Sequence, residues 1–258
     1  MTKSQKIVLI TGAAKRIGQI VALEMAKAGW DIAIHYGKSK QEALETISKI
    51  NALGRLAVGL QADLENESEV EQIIPQCIDQ LGLPHCIVNN ASRFEYDDPA
   101  TVRYQNIVKD CMINLAAPLI LSKVYFEQLR LRPIEKGLVV HILDQKLSNL
   151  NPDYFSYTLS KSALDTAVKM QAMYFAPQLR VMGIAPGITL TSGDQSADGF
   201  AQAHQEVLLG QSSTPADIAH AILFLNQAQA MTGDVIYVDG GQHLQASQRD
   251  VMFLTKVK

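Results

Sequence analysis

The chain has 258 residues, 47% of them apolar and 19% charged, with a net charge of −3. That length and apolar content suffice for a sizeable α/β core, and the nearly balanced charge argues against general nucleic-acid binding. No apolar run approaches the ~20 residues of a membrane span, and Ile7–Ile10 is too short for an export signal. A cytoplasmic protein is expected. Cys77, Cys86 and Cys111 form no CxxC pair and read as reduced thiols, and no metal site is assigned.

Short apolar runs alternate with helical patterns along the whole chain. Strand Lys6–Ile10 leads through Thr11-Gly12-Ala13-Ala14-Lys15-Arg16-Ile17-Gly18 into a helix over Ile17–Ala28. Glycine permits a tight turn and close backbone approach. A helix N-terminus presents free N–H groups and a positive dipole end to a pyrophosphate. Strand Asp31–Tyr36 ends in His35-Tyr36-Gly37-Lys38-Ser39, without the acid that usually bonds the ribose hydroxyls of NAD. Lys38 and Ser39, with His35 as a third candidate, suit the 2′-phosphate of NADP instead.

A helix over Gln41–Leu53, strand Leu56–Gln61 and a helix over Ser68–Leu81 follow. Asp63, after the third strand, is either an adenine contact or a helix cap. Strand His85–Asn89 ends in Asn89-Asn90-Ala91, at the sheet edge where open α/β sheets bind ligands. A long helix spans Val102–Arg130, and within it Asn114 lies four residues before Pro118. Because proline has no N–H, the Asn114 carbonyl loses its i+4 donor. It is then free for water or an ammonium, or the helix merely kinks.

Strand Gly137–Leu143 precedes a helix over Tyr154–Tyr174, in which Tyr157 and Lys161 stand one turn apart on the same face. An ammonium there favours the phenolate and is expected to lower the tyrosine pKa. The spacing alone is weak, since Tyr36 and Lys40 share it. Strands Leu179–Ile184 and Asp234–Val238 and a helix over Pro215–Asn226 complete the pattern. Thr214 is the N-cap of that helix, with Pro215 in its first position and Asp217 near its positive end. Strands that read as continuous apolar runs between helices imply a parallel sheet covered on both faces. No repeat or linker divides the chain, so one domain is expected. Residues 189–210 are polar, interrupt the alternation and read as a lid.

Taken in order, Thr11-Gly12…Gly18, Asn89-Asn90-Ala91, Asn114, Tyr157…Lys161, Pro186-Gly187 and Asp239-Gly240-Gly241 resemble the short-chain dehydrogenase/reductase family over nearly the full chain. The resemblance implies a single-domain Rossmann-like sheet of seven parallel strands and a homotetramer built on the two long helices. It also implies Tyr157 as proton donor, Lys161 on the nicotinamide ribose, and the Asn114 carbonyl holding a water to Lys161. Ile17, Leu64, Asn90, Ala91, Pro186 and Gly187 join Gly12, Gly18 and Asp63 as implied cofactor contacts.

Three departures are more specific. Arg16 replaces the middle glycine of the first loop. Ser92, followed by Arg93-Phe94, replaces the glycine of Asn-Asn-Ala-Gly. Asp144, thirteen residues before Tyr157, replaces the usual serine. These substitutions, with His35-Tyr36…Ser39, resemble pteridine reductases and dihydromonapterin reductases. By that likeness Arg16 reaches cofactor phosphate and pterin, Ser92 bonds cofactor or pterin, Phe94 stacks the pterin on the nicotinamide, and Asp144 works with Tyr157 in protonation. Lys38, where that family often has arginine, keeps the charge but not the fork geometry. A carboxylate beside the tyrosine would repel a developing alkoxide but suits a ring rich in N–H donors. An NADPH-dependent dihydropterin reductase is therefore expected, with a carbonyl reductase of the same family and a non-catalytic NADPH sensor as rivals.

Overall fold

The computed structural model describes residues 6–132, 135–191 and 197–254. Seven strands, β1 (Lys6–Ile10), β2 (Trp30–Tyr36), β3 (Ala57–Gln61), β4 (Cys86–Asn89), β5 (Gly137–Ile142), β6 (Leu179–Pro186) and β7 (Val235–Val238), form one parallel sheet. Its order is β3-β2-β1-β4-β5-β6-β7. Residue alternation sends Val8 and Ile10 of β1 to one apolar layer and Ile7 and Leu9 to the other. The first layer is completed by α1 (Arg16–Lys27) and α8 (Pro215–Gln227), through Val21, Met25, Ile218 and Ile222. The second is completed by α3 (Glu67–Gln80), α5 (Ala117–Arg130) and α6 (Phe155–Phe175), through Ile73, Leu121, Tyr125, Leu164 and Val168. Burying each large aliphatic side chain of this kind is worth about 1.5–3 kcal/mol. The fold is the Rossmann-like sheet expected.

The strand order reverses between β1 and β4, so the loops after these two strands diverge and open a crevice at the carboxyl edge. Local signals anchor the elements around it. Thr214 and Asp217 form a reciprocal capping box with Pro215 in the first turn, as expected. The other end of α8 is tied down by Arg180, whose guanidinium donates to the Leu225, Ala228 and Met231 carbonyls at 3.0, 3.2 and 3.1 Å.

One expectation needs correction. The helix expected over Val102–Arg130 is α4 (Tyr104–Cys111), a π turn at Met112–Ala116, and α5. Pro118 removes the i+4 donor from Asn114, and the turn widens to i→i−5 bonding instead, with Ala117 N–H donating to the Met112 carbonyl. The segment expected as a lid contains a helix, α7 (Ala197–Gln205), while its residues 192–196 lie outside those described. The remaining elements among the described residues are α2 (Lys40–Ala52), a final turn, α9 (Val251–Leu254), and two 3-10 turns at Gln145–Ser148 and Gln242–Leu244. No helix among the described residues is long and apolar enough to cross a membrane.

Candidate active site

A cleft of about 650 Å³ lies at the β1/β4 reversal. It is lined by Gly12, Arg16, Ile17, Gly18, Asn90, Ala91, Ser92, Phe94, Asp144, Tyr157, Lys161, Pro186 and Gly187, so most of the expected residues meet in one place.

At one end the first loop and the Asn90 loop are sewn together. The Thr11 hydroxyl accepts from the N–H groups of Asn90 and Ala91, each at 3.0 Å. The Asn90 amide donates to the carbonyls of Thr11 and Gly12 at 2.9 and 3.3 Å. Gly12 stands at φ +63°, and a Cβ there would come within 3.0 Å of Ala91 Cα. At Gly18 a Cβ would stand 2.6 Å from Asn90 Nδ2 and closer still to the Gly12 carbonyl oxygen. Arg16 keeps a left-handed backbone, φ 56°, at the position where the family usually has glycine. For a non-glycine residue that costs about 1–2 kcal/mol. The start of α1 has no side-chain cap, so its N–H groups are available to an anion. This close-fitting cradle, with its uncapped helix, fits a dinucleotide pyrophosphate.

Exposed Lys38 and half-buried Ser39 lie just beyond β2 and are not among the residues that line the cleft. His35 does not join them. It is buried, its Nδ1 accepts from Gly12 N–H at 3.2 Å, and its Nε2 donates to the Ala62 carbonyl at 3.1 Å. Burial lowers its pKa to about 4. A neutral imidazole with both nitrogens engaged cannot bond a phosphate, so His35 shapes the Gly12 loop instead. Asp63 is exposed and accepts from Glu65 N–H at 3.0 Å, while half-buried Leu64 packs against the second core layer. Neither lines the cleft.

At the other end Tyr157 Oη donates to Asp144 Oδ2 at 2.9 Å, and Asp144 Oδ1 accepts from Lys146 N–H at 2.8 Å. Phe94, 40% exposed, meets the Tyr157 ring edge-on at 4.7 Å and lies stacked on Tyr154 at 4.0 Å. Tyr154, the N-cap of α6, has a left-handed backbone, φ 52°. Such strain persists where the surroundings over-determine it; here the Phe94 stack and a 3.0 Å hydrogen bond from Tyr154 Oη to Met252 Sδ do so.

Lys161 is buried and donates to the Ile142 carbonyl at 2.7 Å, with its Nζ 5.8 Å from the Tyr157 ring. Burial lowers its pKa to about 8. The expectation that it depresses the tyrosine pKa is overturned. Burial, and then the Asp144 carboxylate, hold the Tyr157 phenol well above its usual range. Burial also raises the Asp144 carboxyl. The proton between them rests on Tyr157 Oη, which donates to Asp144 Oδ2.

Asn114 lies behind the cleft wall, fully buried. Its Oδ1 accepts from Ser92 Oγ at 3.1 Å and Arg93 N–H at 2.8 Å, and its Nδ2 donates to the Arg93 carbonyl and Ser160 Oγ, both at 3.0 Å. Its side chain thus ties the Phe94 loop to α6.

Sequence reasoning missed one set of lining residues. Lys146 and the segment Gln245–Met252, including Arg249 and Asp250, form part of the cleft wall. No local motif marks them, because their partners are distant in sequence: Arg249 pairs with Asp153, 96 residues away.

Comparison with known proteins adds four findings. The family described as Enoyl-(Acyl carrier protein) reductase matches residues 12–243. Among solved structures, FolM Alternative dihydrofolate reductase 1 from Brucella canis, complexed with NADP, is 35% identical with a TM-score of 0.89, over 95% of this chain and 96% of that one. Its Brucella suis counterpart, also with NADP, is 34% identical with a TM-score of 0.86, over 95% and 98%. The 3-oxoacyl-[acyl-carrier-protein] reductase FabG of Staphylococcus epidermidis is 27% identical over 93% of this chain and 99% of its own.

Proposed function

The chain belongs to the short-chain dehydrogenase/reductase family, and from that premise we propose that it is an NADPH-dependent reductase of dihydropterins. One observation carries the reading: Tyr157 is hydrogen-bonded to a carboxylate, Asp144, at 2.9 Å beneath the edge of an accessible aromatic ring, Phe94. A carboxylate at that position opposes the negative charge that grows on a carbonyl oxygen during ketone reduction. It accepts hydrogen bonds from the N–H-rich edge of a pterin. The likeness to NADP-bound proteins named as dihydrofolate reductases supports the same substrate class, and the likeness to FabG sustains the carbonyl alternative.

In this reading the α1 N-terminus, Gly12 and Gly18 hold the pyrophosphate, Lys38 and Ser39 the 2′-phosphate, and Lys161 the nicotinamide ribose. Ile17, Asn90, Ala91, Pro186 and Gly187 complete the cofactor surface. The cofactor, when bound, supplies hydride. Phe94 offers a flat apolar wall to a ring, a contact worth about 0.5–1.5 kcal/mol beyond area burial. Arg16 and Ser92 stand at the same opening. Arg16 donates to the Thr191 carbonyl at 2.9 Å and so joins the first loop to the lid. Tyr157 holds the proton to be delivered to a ring nitrogen, and Asp144 accepts a hydrogen bond from that hydroxyl.

We take the chain as one catalytic domain in the cytoplasm, a setting that suits its three unpaired thiols. The exposed apolar residues Leu159, Met170, Met173 and Tyr174 along α6 suit a homotetramer, which sedimentation velocity reads directly. The deciding assay follows NADPH oxidation with dihydromonapterin, dihydrobiopterin, dihydrofolate and a panel of ketones. Turnover of the pterins is expected. Turnover of ketones alone would end the pterin reading, and turnover of nothing would favour the sensor.

A further inference from the structure

The segment Gln245–Met252 has no part in the mechanism above, yet the structure fixes it firmly against the cleft. Asp153 is the anchor. Buried to 1% exposure, it accepts from Arg249 Nε and Nη2, each at 2.8 Å, and from Asp250 N–H at 2.7 Å. Met252 takes the Tyr154 hydroxyl, and the Arg249 guanidinium lies 4.7 Å from the Phe253 ring, which packs on Tyr96. The segment is thereby bound to the loops that hold Phe94.

This anchoring sets the Asp250 carboxylate in the cleft wall. Its Oδ1 accepts from Met252 N–H at 3.1 Å, and its Oδ2 is 3.9 Å from Lys146 Nζ. Burial raises its carboxyl pKa, against the Met252 N–H bond and Lys146, which lower it, and Asp250 is among the charges that raise Tyr157. Both cations of this wall are already committed. Arg249 is held in its fork by Asp153, and Lys146 donates to the Asp153 carbonyl while facing Asp250. Asp144 and Glu206 add further acid to the lining, while its other cations, Lys15, Arg16 and Lys161, stand elsewhere in the cleft, Arg16 donating to the Thr191 carbonyl and Lys161 to the Ile142 carbonyl.

We infer that Asp250 is a specificity-determining residue: it accepts hydrogen bonds from a neutral hydroxyalkyl substituent on the ring and turns away a substituent that carries carboxylates. Like charges brought together across a partly desolvated wall are strongly disfavoured, and a hydroxyl supplies the donor that Asp250 lacks. This inference rests on the pterin reading and adds the chemistry of the substituent.

The test uses steady-state kinetics of the full chain with NADPH and two probes, dihydrobiopterin (neutral chain) and dihydrofolate (anionic chain). Asp250→Asn preserves the shape and the acceptor for Met252 N–H. The ratio of the dihydrofolate to the dihydrobiopterin KM is expected to fall by about tenfold. A second measurement needs no variant. Raising the ionic strength of the wild-type assay should lower the dihydrofolate KM selectively, because salt screens the repulsion. Turnover of both probes with an unmoved ratio in the variant and no selective salt effect would overturn the assignment alone. Turnover of neither would overturn the pterin reading and the assignment with it.

Discussion

At the nucleotide end of the cleft, Thr11, Gly12, Gly18, His35 and Asn90 hold one another through main-chain groups and uncharged side chains. At the substrate end, the carboxylates of Asp144, Asp153 and Asp250 meet the cations Arg249 and Lys146 and the main-chain N–H groups of Lys146 and Asp250. The first end works by fit: its conformation leaves room for a phosphate and for no extra carbon. The second works by the placement of protons and charges, so substitutions that keep its shape still change what it does. Binding and chemistry should thus be separable by mutation, even though both share one cleft.

The largest expected effect lies at the substrate end. Replacing Tyr157 by Phe removes the proton donor and leaves the nucleotide cradle intact. Proton transfer by a positioned side chain contributes roughly 10²–10⁴-fold. A fall in kcat of that order is expected, with NADPH affinity, followed by the fluorescence of the bound cofactor, unchanged. Normal turnover would remove Tyr157 from the mechanism.

The converse variant is Gly18→Ala. Its methyl group would crowd the Gly12 carbonyl and the Asn90 amide, both fixed by the hydrogen bonds that join the two loops. Overpacking of this kind costs about 1–3 kcal/mol. NADPH Kd, by titration calorimetry, should rise accordingly, while the Tyr157–Asp144 pair is untouched. An unaltered Kd would show that the two ends are not distinct in the way described.

A smaller effect appears as a pH dependence. His35, in the cradle, and His141, buried under α6, are both lowered by burial from 6.5 to about 4. Below pH 6.5 the unfolded chain takes up protons that the folded chain refuses until about pH 4. Their contribution to stability is therefore complete above pH 6.5 and is lost as pH falls toward 4. The limiting slope is about 1.4 kcal/mol per pH unit for each histidine. Urea denaturation between pH 7 and 4.5 should show it, and His35→Asn should lower the slope by up to about 1.4 kcal/mol per pH unit whatever its effect on absolute stability. An unchanged slope would mean that His35 is not held neutral.

What was legible in the chain follows from the range of the interactions. The strands were legible because each is an apolar run with local boundaries, and the capping box at Thr214 because its partners are three residues apart. Tyr157, Lys161 and Asp144 were legible as residue types in a family order. The role of His35 was not, since a histidine at a strand end reads alike whether it faces a phosphate or the neighbouring loop. The direction of the Tyr157 pKa was also misjudged. Spacing reveals a nearby lysine, but only the folded packing reveals that burial and a carboxylate outweigh it. The Asp250 wall was beyond reach, because it is made by contacts across 96 and 97 residues.

Asn114 has a consequence of a mechanical kind. Its amide joins three segments, reaching Arg93 and Ser92, 21 and 22 residues back, and Ser160, 46 residues ahead. Phe94 rides on the first of these segments and Tyr157 on the helix that carries Ser160. The gap between a flat ring resting on Phe94 and the hydroxyl that protonates it is thus a dimension gauged by one side chain, like the throat of a caliper. Asn114 need touch neither substrate nor cofactor to decide how thick a ring the cleft will grip.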